Sequence, residues 1–206
     1  MAPAVKRRLI AAALLAPFLL GACGTARDAA DPAPTGKATV ATEAVAEIKA
    51  GDDFNDTDVM FLQMMAFHQK QGLEMTTTAV KRAKNPELKV MAQAIQATEK
   101  DELAMIQSWL SDWGKSTVAD EAPSLHADHG GLPGTGAAEI KALTTVKASS
   151  FDTAFLNLFL AHQHQAMEMT KIEKTGGKNE ETKKYAERVQ QSRQGEIQQM
   201  LKLMNG

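Results

Sequence analysis

The chain has 206 residues, a formal net charge of −2, one cysteine, and 5% aromatic against 44% hydrophobic residues. That length can bury a sizeable core as one domain. The few aromatic and β-branched runs argue against an all-β sandwich, the near-neutral charge argues against a nucleic-acid partner, and a lone thiol excludes an intramolecular disulfide or a cysteine-cluster metal site. No Gly-rich phosphate loop, no G-x-S-x-G elbow and no nucleophile with an activating base stands out, so the chain reads as a non-enzyme.

The chain opens with an export signal over residues 1–22. Lys6, Arg7 and Arg8 form a basic start, and Leu9 to Leu20 form an apolar run of 12 residues, too short to span a bilayer as a stable helix. The run ends in Leu20-Gly21-Ala22-Cys23, which resembles the bacterial lipoprotein signal. That resemblance implies acylation of Cys23 and an extracytoplasmic protein tied to a bacterial membrane. Residues 23–52, rich in Ala, Pro, Thr and Gly with no apolar period, read as a flexible tether.

The remainder, 53–206, is one unit written twice. FLQMMAFHQKQGLEMT (61–76) matches FLNLFLAHQHQAMEMT (155–170) at an offset of 94 residues. Asn85 then matches Asn179, Glu87 matches Glu181, Lys89 matches Lys183 and Glu102 matches Glu196 without a gap. Phe61, Met65, His68, Gly72, Met75 and Ala79 recur at steps of four and three, one face of a helix, and Phe155, Phe159, His162, Ala166 and Met169 repeat it. Asn85-Pro86 ends the first helix, because a residue before proline avoids the α region. Leu88, Ala92, Ile95, Glu99, Glu102, Ile106, Trp109 and Trp113 form a second stripe, copied by Thr182, Ala186, Val189, Arg193, Glu196, Met200 and Leu203. The expected fold is all-α: two helical hairpins, about 54–113 and 148–205, giving a four-helix bundle with helices of about 25 residues. A crossover over 114–147 joins them, its end forming a short extra helix near 137–148.

Four residues break the apolar rule of the core stripes: His68, His162, Glu102 and Glu196. His68 lies 17 residues before Asn85 and Glu102 lies 17 after it; His162 and Glu196 flank Asn179 in the same way. In an antiparallel pair with a tight turn, equal counts reach equal height, so each repeat is expected to set a His opposite a Glu. Buried charge demands a partner. Two readings follow: structural His–Glu pairs, joined through Arg193, or a metal site of imidazole and carboxylate with thioethers nearby. A di-iron carboxylate site is disfavoured, because its Glu-x-x-His motif is absent. Met64, one turn from His68, can reach an ion shared with it. Met75 and Met169 lie farther along the same stripes, and methionine there is either core filler or a soft ligand suited to Cu(I). His126, Asp128 and His129 in the crossover are either a polar loop or a second, weaker metal site.

These residues together resemble the bacterial domain-of-unknown-function family 305. The motifs are the lipoprotein signal, the duplicated F-L-x(5)-H-x(5)-E-M, and E-L-x(5)-W-L-x-x-W-G from Glu102 to Gly114. Phe-Asp-x-x-Phe-Leu from Phe151 to Leu156 and Glu-Ile-x-x-Met from Glu196 to Met200 belong with them. The resemblance covers about residues 54–204 and implies a ferritin-like four-helix bundle of exported proteins, some of which bind copper and support copper tolerance. Three departures stand out. The family's His-His is His68-Gln69 and His162-Gln163 here, its Met-Pro-Gly-Met crossover is Leu132-Pro133-Gly134-Thr135, and a helix-two Met is Ile106, beside Met105. His164, His126 and His129 are the histidines left to compensate.

The expected function is therefore a membrane-anchored, extracytoplasmic lipoprotein that binds copper or a similar soft metal, for sequestration or tolerance. The alternative is a metal-free structural or interaction module with buried His–Glu pairs. No protein partner is legible. Cys23→Ser is expected to release the protein from membranes or leave its precursor uncleaved, as read by fractionation and chain size. Unchanged membrane association with normal processing would contradict the anchor.

Overall fold

The computed structural model describes residues 48–118 and 134–206. The export signal, Cys23, most of the tether and the crossover residues His126, Asp128 and His129 lie outside these. The described residues form five helices and no strand: α1 (Asp56–Arg82), α2 (Pro86–Asp112), α3 (Ala137–Thr145), α4 (Phe151–Gly176) and α5 (Glu180–Asn205). None of the described helices is long and apolar enough to cross a membrane.

Local chemistry sets the helix ends. Asn55 and Asp58 form a capping box at the start of α1, each side chain bonded to the other's backbone N–H. Asn85 caps α2, with Pro86 in the first turn, where its missing N–H costs nothing. Asn179, the repeat partner of Asn85, caps α5 through Glu181 N and Thr182 N. The turns between helices are thus short, and each hairpin packs along its full length.

The two hairpins meet chiefly along α1 and α4, while α2 and α5 lie farther apart and are bridged by long side chains. The apolar core falls into two parts. One contains Phe61, Met64, Met65, Ile106, Trp109, Met169 and Tyr185. The other contains Met75, Ala79, Leu88, Phe151, Phe155, Phe159 and Met200. Between them in sequence and height lies a buried polar layer of His68, Gln69, Glu99, Glu102, His162, Gln163 and Arg193.

Each hairpin clasps the turn of the other. Asp58 in α1 accepts from Lys178 N and Asn179 N, both at 3.0 Å, at the α4–α5 turn. Its repeat partner Asp152 in α4 accepts from Lys84 N (3.0 Å) and Asn85 N (2.8 Å) at the α1–α2 turn. The last residues of the expected tether also rest on the bundle. The indole N–H groups of Trp109 and Trp113 donate to Ile48 O (2.5 Å) and Gly51 O (2.7 Å), and Phe54 stacks on Trp113 with ring centroids 4.2 Å apart. Asn179 Nδ2 donates to Ala50 O and Asp53 O.

The two clasps differ in burial. Asp58 is fully buried and also accepts from Asn55 N at 2.7 Å, whereas Asp152 is partly exposed. Asp58→Ala strands several buried N–H groups and is expected to destabilise the fold by about 2–3 kcal/mol; Asp152→Ala is expected to cost about 1 kcal/mol. Urea unfolding of both variants checks the order, and equal costs would contradict it.

Candidate functional site

His68 and His162 are repeat partners on the α1–α4 seam, and there their rings meet. They stack with centroids 3.6 Å apart and planes 8° from parallel, with Phe159 tilted against His162 at 5.4 Å. Both are fully buried. His68 Nε2 donates to the His162 carbonyl at 2.8 Å; a carbonyl only accepts, so this nitrogen carries the proton and Nδ1 is bare. His162 Nδ1 lies 2.9 Å from Thr135 Oγ1. Among the described residues, His68 Nδ1 and His162 Nε2 have no hydrogen-bond partner. Burial is the main force on both rings and, with the nearby Arg193 cation, disfavours a charged imidazole: His68 is lowered to about 3 and His162 well below its ordinary range.

One position further along each helix, Gln69 and Gln163 face a different seam. Gln69 Nε2 donates to Glu102, and Gln163 Nε2 donates to Glu196 at 2.5 Å. Arg193, fully buried, joins the hairpins: its Nη2 lies 2.7 Å from Glu102 and 3.7 Å from Glu99, and its Nη1 lies 3.0 Å from Glu196. Nη2 also donates to Gln69 Oε1 at 3.4 Å. Burial opposes charge on Arg193, but Glu102, Glu196 and Glu99 outweigh it and hold the guanidinium protonated. Burial raises Glu102 above its ordinary range, and it raises Glu99 to about 8, against the pull of Arg193. Glu99 has no hydrogen-bond partner for either oxygen, and it fits only because Gly72 opposite lacks a Cβ.

The expected His–Glu pairs are not formed. Equal counts from the turn do place 68 and 102 at one height, but adjacent residues on a helix point about 100° apart. The histidine therefore faces the α1–α4 seam, and the following glutamine faces the second helix of its own hairpin and takes the glutamate. Of the methionines, Met64 and Met169 sit in one apolar part of the core and Met75 in the other, so the thioethers do not gather at one point. His164 is exposed. Among the described residues, no three His, Cys, Asp or Glu side chains converge as a metal cluster. Sequence reasoning missed the roles of Gln69, Gln163 and Thr135. The exact repeat of the two glutamines was the available signal; for Thr135 it was the departure from the family's crossover motif, since the crossover has no copy.

In donor type, the stacked pair suits a soft ion: two neutral imidazoles, each with a bare or unpartnered nitrogen. In geometry it is not yet a shared site. A ring nitrogen's lone pair lies in its ring plane, and two nearly parallel planes do not meet at one ion. One ring has to turn before both bind together.

A family model described as a domain of unknown function (DUF305) matches residues 58–204. A DUF305 fragment from Deinococcus radiodurans shares the fold with a TM-score of 0.65 at 21% identity, covering 74% of this chain and 98% of that one. A DUF305 protein from Streptomyces coelicolor, described as secreted, aligns with a TM-score of 0.66 at 25% identity over 71% of this chain and 91% of that one. CopM in its Cu(II)-bound form aligns with a TM-score of 0.59 at 28% identity over 71% and 94%; its Cu(I)-bound form gives 0.59 at 25% over 72% and 95%. No curated protein matches the sequence.

Glu99 generates a pH dependence. Its value of about 8 in the fold lies above the ordinary 4.5, so folding favours the protonated acid. The associated stability is present in full below about pH 4.5 and is lost as pH rises through about 8. Glu99→Gln cannot ionise and is expected to reduce the decline in urea unfolding across that window, to which Glu102 and Glu173, also raised by burial, contribute. An undiminished decline would contradict the assignment.

Proposed function

The chain belongs to the DUF305 family, and on that premise we propose that it is an extracytoplasmic lipoprotein, held at a bacterial membrane through Cys23, that binds copper or a similar soft metal for sequestration or tolerance. The observation that carries this reading is the pair of buried, unpartnered nitrogens, His68 Nδ1 and His162 Nε2, on rings that burial keeps neutral. Neutral imidazole is a good ligand for either copper state, and a thioether favours Cu(I). Met64, one turn before His68, is the thioether best placed by sequence to assist. The copper-bound forms of CopM, which share this fold, support the same class of cargo.

In this reading Glu102 and Glu196 supply charge rather than ligand atoms, because Oε2 of Glu102 and both oxygens of Glu196 are already engaged within the network. Their negative charge offsets Arg193, which otherwise repels an arriving cation. Met75 and Met169 pack the apolar flanks. His126, Asp128 and His129 form a second, weaker site in the crossover.

A second reading is a metal-free helical module. Two observations favour it: Arg193 already partners the carboxylates, and the imidazole planes are parallel. Titration of the chain with Cu(I) against a competing chelator separates the two. The metal reading expects His68→Ala plus His162→Ala to lose at least about tenfold in affinity, or 1.4 kcal/mol. Absence of binding beyond the chelator control favours the module. Binding that survives this pair but vanishes with His126→Ala plus His129→Ala moves the metal to the crossover.

A further inference from the structure

The bundle is doubled, but the segment that leads into α3 is single. Its last residues lie over the histidine stack and break the symmetry of the two repeats. Gln71 grips Thr135 at both backbone atoms, donating to its carbonyl at 2.8 Å and accepting from its N–H at 3.0 Å. Gln165, the repeat partner of Gln71, donates to Gly134 O at 3.3 Å. Gly134 has to be glycine for the segment to lie this close: a Cβ there would fall 2.8 Å from Phe67 Cε1 and 3.0 Å from Gln71 Oε1. The grip aims the Thr135 hydroxyl at His162 Nδ1, 2.9 Å away, and among the described residues none plays that part for His68.

We propose that Thr135 is a positioning residue: its hydroxyl accepts the Nδ1 proton of His162 and so leaves Nε2 of that ring as a bare nitrogen able to take a metal ion. The proposal rests on the metal reading above and adds the residue that prepares one ligand atom. A hydroxyl can donate or accept, so the surroundings decide its role. With Nδ1–H donating, the Thr135 proton is free to turn away from the ring; Thr135 lines a groove together with Phe67, Gln71 and Glu74. Among the described residues, what is then left unpartnered on the His162 ring is a lone pair. With the hydroxyl donating instead, His162 Nε2 would carry a fully buried N–H with no acceptor, the rarer and costlier arrangement. The bond also anchors the His162 ring from outside the stack, as the bond to the His162 carbonyl anchors His68.

The test is nitrogen-15 NMR of the histidine rings in the metal-free chain, with His162 assigned by the signals lost in His162→Asn. The expected spectrum has His162 protonated at Nδ1. Thr135→Val, which keeps the shape and removes the hydroxyl, is expected to shift His162 toward the Nε2–H form and to weaken Cu(I) binding at least about tenfold. Thr135→Ser is expected to restore both, which a purely steric role would not do. A wild-type His162 protonated at Nε2 overturns the proposal whatever the variants do, even where Cu(I) still binds. A Thr135→Val chain with unchanged tautomer and affinity overturns it equally. A wild-type chain that shows the expected tautomer but binds no Cu(I) overturns the metal reading and, with it, the metal role of Thr135.

Discussion

One guanidinium shared among three glutamates is the interaction on which the middle of this bundle depends. Arg193 reaches Glu102 and Glu99 on α2 and Glu196 on its own helix, with Gln69 of α1 added. Charges buried this deeply are tolerated only when paired and hydrogen-bonded, and such pairing specifies geometry more than it adds stability. Here it specifies how far apart α2 and α5 stand and how the hairpins register. A slip of either hairpin would separate the cation from its acids. The layer also divides the apolar core into two parts, which keeps hydrophobic packing from settling into a shifted arrangement.

The network depends on a single break in the repeat. Glu99 and Arg193 occupy the same position of the two hairpins, 94 residues apart. A perfect duplication would bring two like charges together across the core. Replacing one by arginine removes that repulsion and supplies a cation for Glu102 and Glu196, while burial raises Glu99 to about 8, which favours its neutral acid. Elsewhere the duplication is used intact. Asp58 and Asp152 each hold the other hairpin's turn, and Gln69 and Gln163 each hold the glutamate of their own hairpin.

This frame is what places two imidazoles face to face. They sit beside a cation and within an apolar surround, and both features disfavour imidazolium. The result is two weakly satisfied nitrogen bases inside a rigid bundle, an arrangement that costs stability unless something takes up the lone pairs. In the proposed function a soft monovalent ion would suit this chemistry, because it adds the least charge next to Arg193 and accepts nitrogen and thioether ligands.

The helices, their ends, the two hairpins and the duplication were legible in the sequence, because apolar spacing, Asn caps and Pro86 act within a few residues of one another. The buried identity of His68, His162 and Glu102 was legible too, since polar residues on a core stripe have nowhere else to go; Glu196, expected with them, is only partly buried. Their partners were not. A count from the turn gives height along a helix but not direction around it, and one residue's rotation moved each glutamate from the histidine to the following glutamine. The clasp of Asp58 and Asp152 and the approach of Thr135 to His162 join residues from 27 to 121 positions apart. Such contacts depend on how hairpins and crossover pack, and no local pattern carries that information. Chain chemistry therefore determined which groups are buried, and tertiary packing alone decided which of them touch.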